Sequence, residues 1–166
     1  MGWLAGRTAR LVGDSPAIAA ALAAQGATLV GEGDCDVLVH VAAAPADVPA
    51  HEITHAQWRT TLDAGLDQRF LLARDFAAAR RALGKGGAVV FVGAPEQALG
   101  ADQAAAGGAL GNLTKTLGVE WARDGIRINT VQTRAHDETL GNLVAWLASD
   151  YAAYVTGAVM GVGLND

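Results

Sequence analysis

Apolar residues recur along this chain with two different periods, and they predict alternating helices and strands. Between residues 103 and 121, leucines and a tryptophan recur at spacings of three and four residues, which places them on one face of a helix. Gly125 then predicts the helix end, because glycine readily takes the left-handed conformation that closes a helix. The β-branched run over 126–131 predicts a buried strand directly after it.

The N-terminal part of the chain predicts a strand, a helix and a second strand in close succession. The first strand covers Thr8 to Val12, the helix covers Ala17 to Gln25, and the second strand covers Ala27 to Val30. Ser15 is suited to cap the helix, and Pro16 fits the first helical position because its missing N–H has no partner there. This order predicts a βαβ unit and therefore a parallel sheet.

Later segments continue the alternation of strands and helices. Thr54 and Gln57 match a capping box at the start of one of these helices. The alternation predicts an α/β fold: a reduced, Rossmann-like, doubly wound parallel sheet with helices on both faces, in one domain over 1–166. The remaining predicted elements are a strand over 36–42, a helix from 55 to about 81, a strand over 88–92 and a helix over 138–148.

Composition and charge narrow the possible classes of protein. The 166 residues are 51% hydrophobic and 17% charged, which is typical of a globular chain. The net charge of −5 without a basic cluster argues against nucleic acid and anionic membrane as partners. No apolar run reaches the ~18 residues of a membrane span, and the N-terminus does not resemble a signal peptide. A single cysteine, Cys35, fits a reducing compartment, so we expect a cytoplasmic location.

Three segments of the sequence resemble a known family. The run LTKTLGVEWARDGIRINTV is similar to the helix–strand unit of the short-chain dehydrogenases/reductases, and LASDYAAYVTG is similar to the C-terminal part of that family. DVLVHVAA, over 36–43, is similar to the family's strand ending in Asn-Asn-Ala-Gly. The resemblance implies a Rossmann-like domain, but the chain leaves no room for the family's adenosine-binding segment or substrate lid.

The resemblance also implies where catalytic residues would stand. The family uses a tyrosine, a lysine, a serine and an asparagine, and the matching positions here hold Gln103, Gly107, Ala94 and Gly65. None of these side chains can exchange a proton near neutral pH. The replacements lead to the expectation that the chain has no catalytic residues and is not an enzyme on its own.

A dinucleotide cofactor is also not expected from the sequence. The first turn of a dinucleotide-binding fold carries several glycines that let the backbone approach the pyrophosphate, whereas this turn has only Gly13. The acidic residue that would bind the ribose could only be Glu32 or Asp34. We therefore expect no bound cofactor, with residual nucleotide binding left open as an alternative.

His51 and His55 match the spacing of a zinc-binding motif, but the residues around them do not favour a zinc site. His51 to His55 match the H-E-x-x-H motif of zinc peptidases, in which both histidines lie on one helix. Here Thr54 is the predicted helix cap, so the two histidines lie on opposite sides of a helix start. His40 is interpreted as a hydrogen-bonded residue of a buried strand, and no metal is expected.

The retained scaffold leads to a hypothesis about association. In the resembled family, the two long helices pair across a two-fold axis, and the last helix and strand form a second interface. We therefore expect a non-catalytic subunit that associates with and stabilises an active short-chain dehydrogenase. The interface candidates are Leu66, Phe70, Gly111, Gly118, Trp121, Trp146, Tyr151 and Tyr154.

Two alternatives remain open at the level of sequence. The first is a divergent NAD(P)-dependent oxidoreductase, or a protein that binds a nucleotide or another small ligand in the shortened cleft at the strand ends. The second is a structural homodimer of this chain. Co-purification with a dehydrogenase, titration with NAD(H) and NADP(H), and the oligomeric state of the isolated chain distinguish the hypothesis from its two alternatives.

Overall fold

The computed structural model describes residues 2–43, 47–93 and 100–163. Strands and helices alternate through these residues, as the sequence pattern predicts. The strands are β1 (Thr8–Val12), β2 (Thr28–Val30), β3 (Val37–Val41), β4 (Gly87–Gly93), β5 (Ile126–Thr133) and β6 (Val159–Val162). The helices are α1 (Pro16–Ala24), α2 (His55–Leu62), α3 (Gln68–Ala82), α4 (Ala101–Trp121) and α5 (Glu138–Ala148).

All six strands join one parallel sheet, in the order β2-β1-β3-β4-β5-β6. The chain moves outward from β1 to β2, and then crosses back to β3 and continues in the other direction. This reversal makes the carboxyl ends of β1 and β3 the switch point of the sheet. The predicted α/β fold with a doubly wound parallel sheet is confirmed.

Helices cover both faces of the central strands. On one face, α1 and α5 pack against apolar side chains of β1, β3 and β4 and form the first core cluster. On the other face, α3 and α4 pack against β3, β4 and β5 and form the second cluster. The second face is called the α3/α4 face below. No helix of the described residues is long and apolar enough to cross a membrane.

Local signals at the helix ends act as the sequence predicts. The Ser15 hydroxyl accepts a hydrogen bond from the Ile18 amide at the start of α1. Thr54 and Gln57 form both hydrogen bonds of a capping box at the start of α2. Gly125 has φ of +69° and follows a short 3-10 turn after α4. These contacts satisfy backbone groups that would otherwise lack partners at helix ends.

The predicted helix from 55 to 81 is interrupted, which is a difference from the sequence prediction. A π-helical segment, Asp63–Asp67, separates α2 from α3. Gly65 lies within it, and a Cβ atom at Gly65 would lie 3.0 Å from the Cβ of Ala106 on α4. The close approach to α4 explains why glycine is accommodated here despite its low helix propensity. Because a π-helical turn contains an extra residue, the face that α3 turns toward the sheet is displaced along the sequence.

Glycine at one position of α4 is required by close packing, which gives a test of this architecture. A Cβ atom at Gly118 would lie 2.6 Å from the backbone of Gly157, whereas a Cβ atom at Gly108 on the same helix would meet nothing within 4 Å. We expect G118A to lower the free energy of unfolding by roughly 1–3 kcal/mol through overpacking.

G108A serves as the matched control for that substitution. It should raise stability by about 0.5–1 kcal/mol, because alanine has the higher helix propensity. Urea unfolding followed by circular dichroism measures both changes. Equal effects of the two substitutions would contradict the contact between α4 and the segment before β6.

Candidate functional site

The turn between β1 and α1 lies at the switch point and is tightly packed. Gly13 has φ of +92°, and a Cβ atom there would lie 2.1 Å from the carbonyl oxygen of Val41 at the end of β3. The turn therefore needs its glycine for contact with the neighbouring strand. The Ser15 hydroxyl already accepts from an amide of the first turn of α1.

The residues present do not fit a dinucleotide cofactor. The turn contains one glycine, and that glycine faces β3 instead of an open cleft. Of the two acidic candidates for the ribose, Asp34 binds Arg80 and Glu32 is exposed on the linker. Only residues 31–36 connect β2 to β3, so β2 has no following helix and strand beside it. No step of chemistry is therefore derived through a nucleotide in this chain.

Three of the four positions matched to catalytic residues lie in the described structure, and none carries a titratable side chain. Gly65 lies in the π-helical segment, and Gly107 is half-buried on α4. Gln103 is buried near the start of α4, where its Nε2 donates to Oδ1 of Asp47 at 3.0 Å. Ala94 lies outside the described residues.

A buried carboxylate lies beside Gln103 and links two helices. The Thr61 hydroxyl on α2 donates to Oδ2 of Asp102 at 2.5 Å, and both residues are buried. Asp102 stands in the first turn of α4, where the free amides and the helix dipole favour a negative charge. The pair therefore fixes the position of α2 against the start of α4.

Arg69 on α3 is the most unusual group at the carboxyl edge of the sheet. It is 1% exposed, and its Nη2 donates to the carbonyl oxygen of Val92 at 2.6 Å. Its Cζ lies 5.8 Å from the ring centroid of Phe91, within the range of a cation–π contact. Burial lowers the pKa of Arg69 to about 10, so the guanidinium stays charged at neutral pH.

His40 on β3 shares this buried environment. Its neighbour in the sheet register is Phe91 of β4, and its Nδ1 has no hydrogen-bond partner. Burial, together with the positive charge of Arg69, lowers the pKa of His40 to about 4. The imidazole is therefore neutral at physiological pH, and its interpretation as a hydrogen-bonded core residue is wrong for Nδ1.

Sequence analysis missed Arg69 and also Gln132, which is buried near the end of β5. Helical spacing places position 69 on the same face as positions 62, 66 and 73, but Arg69 was not among the predicted site residues. The structure turns residues 61, 69, 73, 76 and 80 inward. The signal that could have found Arg69 is Gly65, since a glycine inside a helix can mark an irregular turn.

The H-E-x-x-H motif has no metal-binding geometry. Ala50–Glu52 form a 3-10 turn, and His55 is the first residue of α2 after the Thr54 cap. Nε2 of His51 lies 3.5 Å from a carboxylate oxygen of Glu52 at the exposed surface. A search of the described residues finds no group of three or more metal-ligating side chains.

A cavity of about 570 Å³ lies at the amino edge of the sheet, opposite the switch point. Three arginines that line it are held by partners within the chain. Arg127 donates to four backbone carbonyls at and after the end of α5, Arg80 binds two aspartates and two carbonyls, and Arg7 binds Asp150. These bonds hold the amino edge together, so the carboxyl edge is the stronger candidate site.

The interface candidates separate into two groups. Gly111, Gly118 and Trp121 are buried within this chain, and they offer no surface to a partner. Their assignment to an interface is corrected accordingly, because α4 turns these positions toward its own sheet. The half-buried or exposed candidates, for which association stays a prediction, are Leu66, Phe70, Trp146, Tyr151 and Tyr154.

Comparison with known proteins identifies the family. A family model described as enoyl-(acyl carrier protein) reductase matches residues 12–137. The chain belongs to the short-chain dehydrogenase/reductase family. A short-chain type dehydrogenase/reductase from Mycobacterium marinum has the same fold, with a TM-score of 0.88 and 19% identity over 96% of this chain and 94% of the other.

Two curated relatives of this family member are dehydrogenases. The cis-4-hydroxycyclohexanecarboxylate dehydrogenase of Sinomonas cyclohexanicum is 30% identical, over 78% of this chain and 65% of its own length. The galactitol 2-dehydrogenase of Rhizobium johnstonii (strain DSM 114642 / LMG 32736 / 3841) is 32% identical, over 51% of this chain and 35% of its own. The chain thus spans less than two thirds of either relative.

These relatives correct one expectation from the sequence. The expectation that the chain is not an enzyme on its own is wrong, because similar proteins are named dehydrogenases and point to an oxidoreductase. An acetoin dehydrogenase from Enterobacter cloacae also shares the fold, with a TM-score of 0.82 and 20% identity over 95% of each chain. The replacements at 65, 103 and 107 are therefore departures within an oxidoreductase family.

The depressed pKa of His40 predicts a dependence of stability on pH. The unfolded imidazole titrates near pH 6.5, whereas the folded group titrates at about 4. The native state therefore resists protonation, so the contribution of neutral His40 is present above pH 6.5 and is lost as the pH falls toward 4. We expect wild type to lose roughly 2–3 kcal/mol more than H40N between pH 7 and 4.5.

Urea unfolding at a series of pH values measures this difference. Subtracting the H40N curve from the wild-type curve removes the contribution of the carboxylates, which both proteins share. Parallel curves across this window would contradict the burial of a neutral His40.

Proposed function

We propose that this chain is an oxidoreductase subunit that associates with a second, full-length subunit of the short-chain dehydrogenase/reductase family. The observation that carries the proposal is the apolar stripe of α2 and α3, which the chain does not bury completely. Trp58, Leu62 and Leu66 are half-buried and Phe70 is 39% exposed, although these residues stand on adjacent turns. A partner helix would remove this surface from water.

The exposed side of α4 supports the same proposal. Val119 is 82% exposed, and the half-buried positions nearer the start of the helix include the small residues Ala105 and Gly108. Small side chains allow two helices to approach closely. The exposed sides of α3 and α4 together offer the association surface that the sequence resemblance implies.

The names of the relatives support a reaction class for the assembly. One relative is named for a hydroxycyclohexane carboxylate and another for the second carbon of galactitol. Both names describe a secondary alcohol. We propose that the assembly interconverts a secondary alcohol and a ketone with a nicotinamide nucleotide.

Co-expression with a full-length family member from the same host tests the association. We expect a stable complex in size-exclusion chromatography with light scattering, and a nicotinamide-dependent activity on secondary alcohols such as galactitol. A chain that forms only a symmetric dimer with itself would favour the homodimer alternative. A chain that stays monomeric in the presence of that family member would contradict the proposed association.

A charge placed on the apolar stripe should weaken this association. We expect F70E to reduce the affinity for the partner at least about tenfold, since burying an unpaired carboxylate is unfavourable. L83E is the matched control, because Leu83 is also an exposed apolar residue and lies beyond the end of α3. Analytical ultracentrifugation measures the affinity, and thermal unfolding should show both variants to be folded. Equal affinities of F70E and L83E would contradict the proposed surface.

A further inference from the structure

Three buried nitrogen atoms on the α3/α4 face have no hydrogen-bond partner within residues 2–43, 47–93 and 100–163. They are Nε of Arg69, Nδ1 of His40 and Nε2 of Gln132, and each residue is more than nine-tenths buried. Burying such an atom without a partner is costly, and most native structures contain few of them. A fourth such atom, Nε of Arg10, belongs to a residue of β1 that is only partly buried.

The sheet register brings the three residues together. Gly93 is paired with Gln132, and a Cβ atom at Gly93 would lie 3.0 Å from Nη1 of Arg69. Adjacent strands are about 4.8 Å apart, so Gln132 stands beside the guanidinium. The hydroxyl of Thr130 is hydrogen-bonded to that of Thr114 on α4, so Thr130 lies on the α3/α4 face of the sheet. Gln132 follows two residues later in the same strand and therefore lies on the same face.

His40 stands on the other side of the guanidinium. It is paired with Phe91, the ring of which lies below Arg69. Leu38, two residues before His40, belongs to the core cluster of the α3/α4 face, so alternation along the strand puts His40 on this face as well. Burial lowers the pKa of the His40 imidazole, and the positive charge of Arg69 lowers it further.

The net charge of this cluster is one positive unit. Arg69 is charged, His40 is neutral at physiological pH, and Gln132 is uncharged. Among the ion pairs of the described residues, none includes Arg69. A buried cation without a counter-ion is strongly unfavourable. Nε of Arg69 and Nε2 of Gln132 are donors without an acceptor among the described residues.

We propose that the carboxyl edge of β3, β4 and β5 binds a small monocarboxylate, whose oxygens accept hydrogen bonds from Arg69 and Gln132. A single negative charge balances the guanidinium, whereas a phosphate dianion would leave an excess. A planar carboxylate matches the fork of donors on arginine. The guanidinium lies directly over Gly93, where a Cβ atom would be 3.0 Å from Nη1, and the Phe91 ring provides an apolar wall. The proposal stands independently of the proposed assembly.

Thermal and urea unfolding of the full chain in carboxylate solutions tests this site. Sodium acetate and sodium cyclohexanecarboxylate are the probes, and sodium chloride at equal ionic strength is the reference. At carboxylate concentrations well above the dissociation constant of the site, we expect the folding equilibrium constant to rise about tenfold for each tenfold increase in carboxylate concentration. Equal effects of acetate, cyclohexanecarboxylate and chloride would overturn the proposal.

Two substitutions locate the effect. R69M replaces the buried guanidinium with an apolar side chain of similar length and should fold, since apolar replacements of buried charges are often tolerated. We expect R69M to lose the carboxylate-specific gain completely and Q132L to weaken it about tenfold. R74M is the matched control, because Arg74 lies on the same helix, is exposed and pairs with Asp75; it should keep the full gain.

Carboxylate binding by the isolated chain can be measured separately from association with a second subunit. Isothermal titration of the isolated chain with acetate measures the site without any second subunit, so its outcome is independent of the partner. Retention of the carboxylate-specific gain in R69M would overturn the proposal. If R69M does not fold, an unchanged gain in Q132L overturns it instead, and a weakened gain supports it.

Discussion

A parallel sheet has to be covered on both faces, and this constraint governs the rest of the structure. All five residues of β3 are buried, as are the five central residues of β4. Because α1 and α5 cover one face while α3 and α4 cover the other, none of these helices is dispensable. The reduction relative to longer relatives falls at the edge instead, where the linker over 31–36 is short and β2 has three residues.

The parts of the fold that were predictable from the sequence depend on local signals. The capping box at Thr54 and the left-handed Gly125 act within a few residues of the backbone that they satisfy. The continuous apolar run of β4 needs no long-range information to be assigned to a central strand. The resemblance to the family then implied a doubly wound parallel sheet, whereas the order of its strands comes from the structure.

The parts that were not predictable depend on contacts between distant segments. The π-helical segment arises where Gly65 meets Ala106 of α4, 41 positions later in the chain. Beyond it, Arg69 is buried and Phe70 stays exposed, and a pattern of apolar residues gives no signal for a buried arginine. The candidate site was therefore hidden from sequence analysis, although His40 and Gly65 were both considered there for other roles.

The arginines at the two edges of the sheet differ in how their charge is balanced. At the amino edge, Arg80 is also nearly fully buried, but it meets Asp34 and Asp36. At the carboxyl edge, Arg69 meets one carbonyl oxygen and an aromatic ring. The described chain thus shows that it can compensate a buried guanidinium with its own carboxylates. That it does so at one edge and leaves donors unpaired at the other distinguishes a structural arginine from one suited to a ligand.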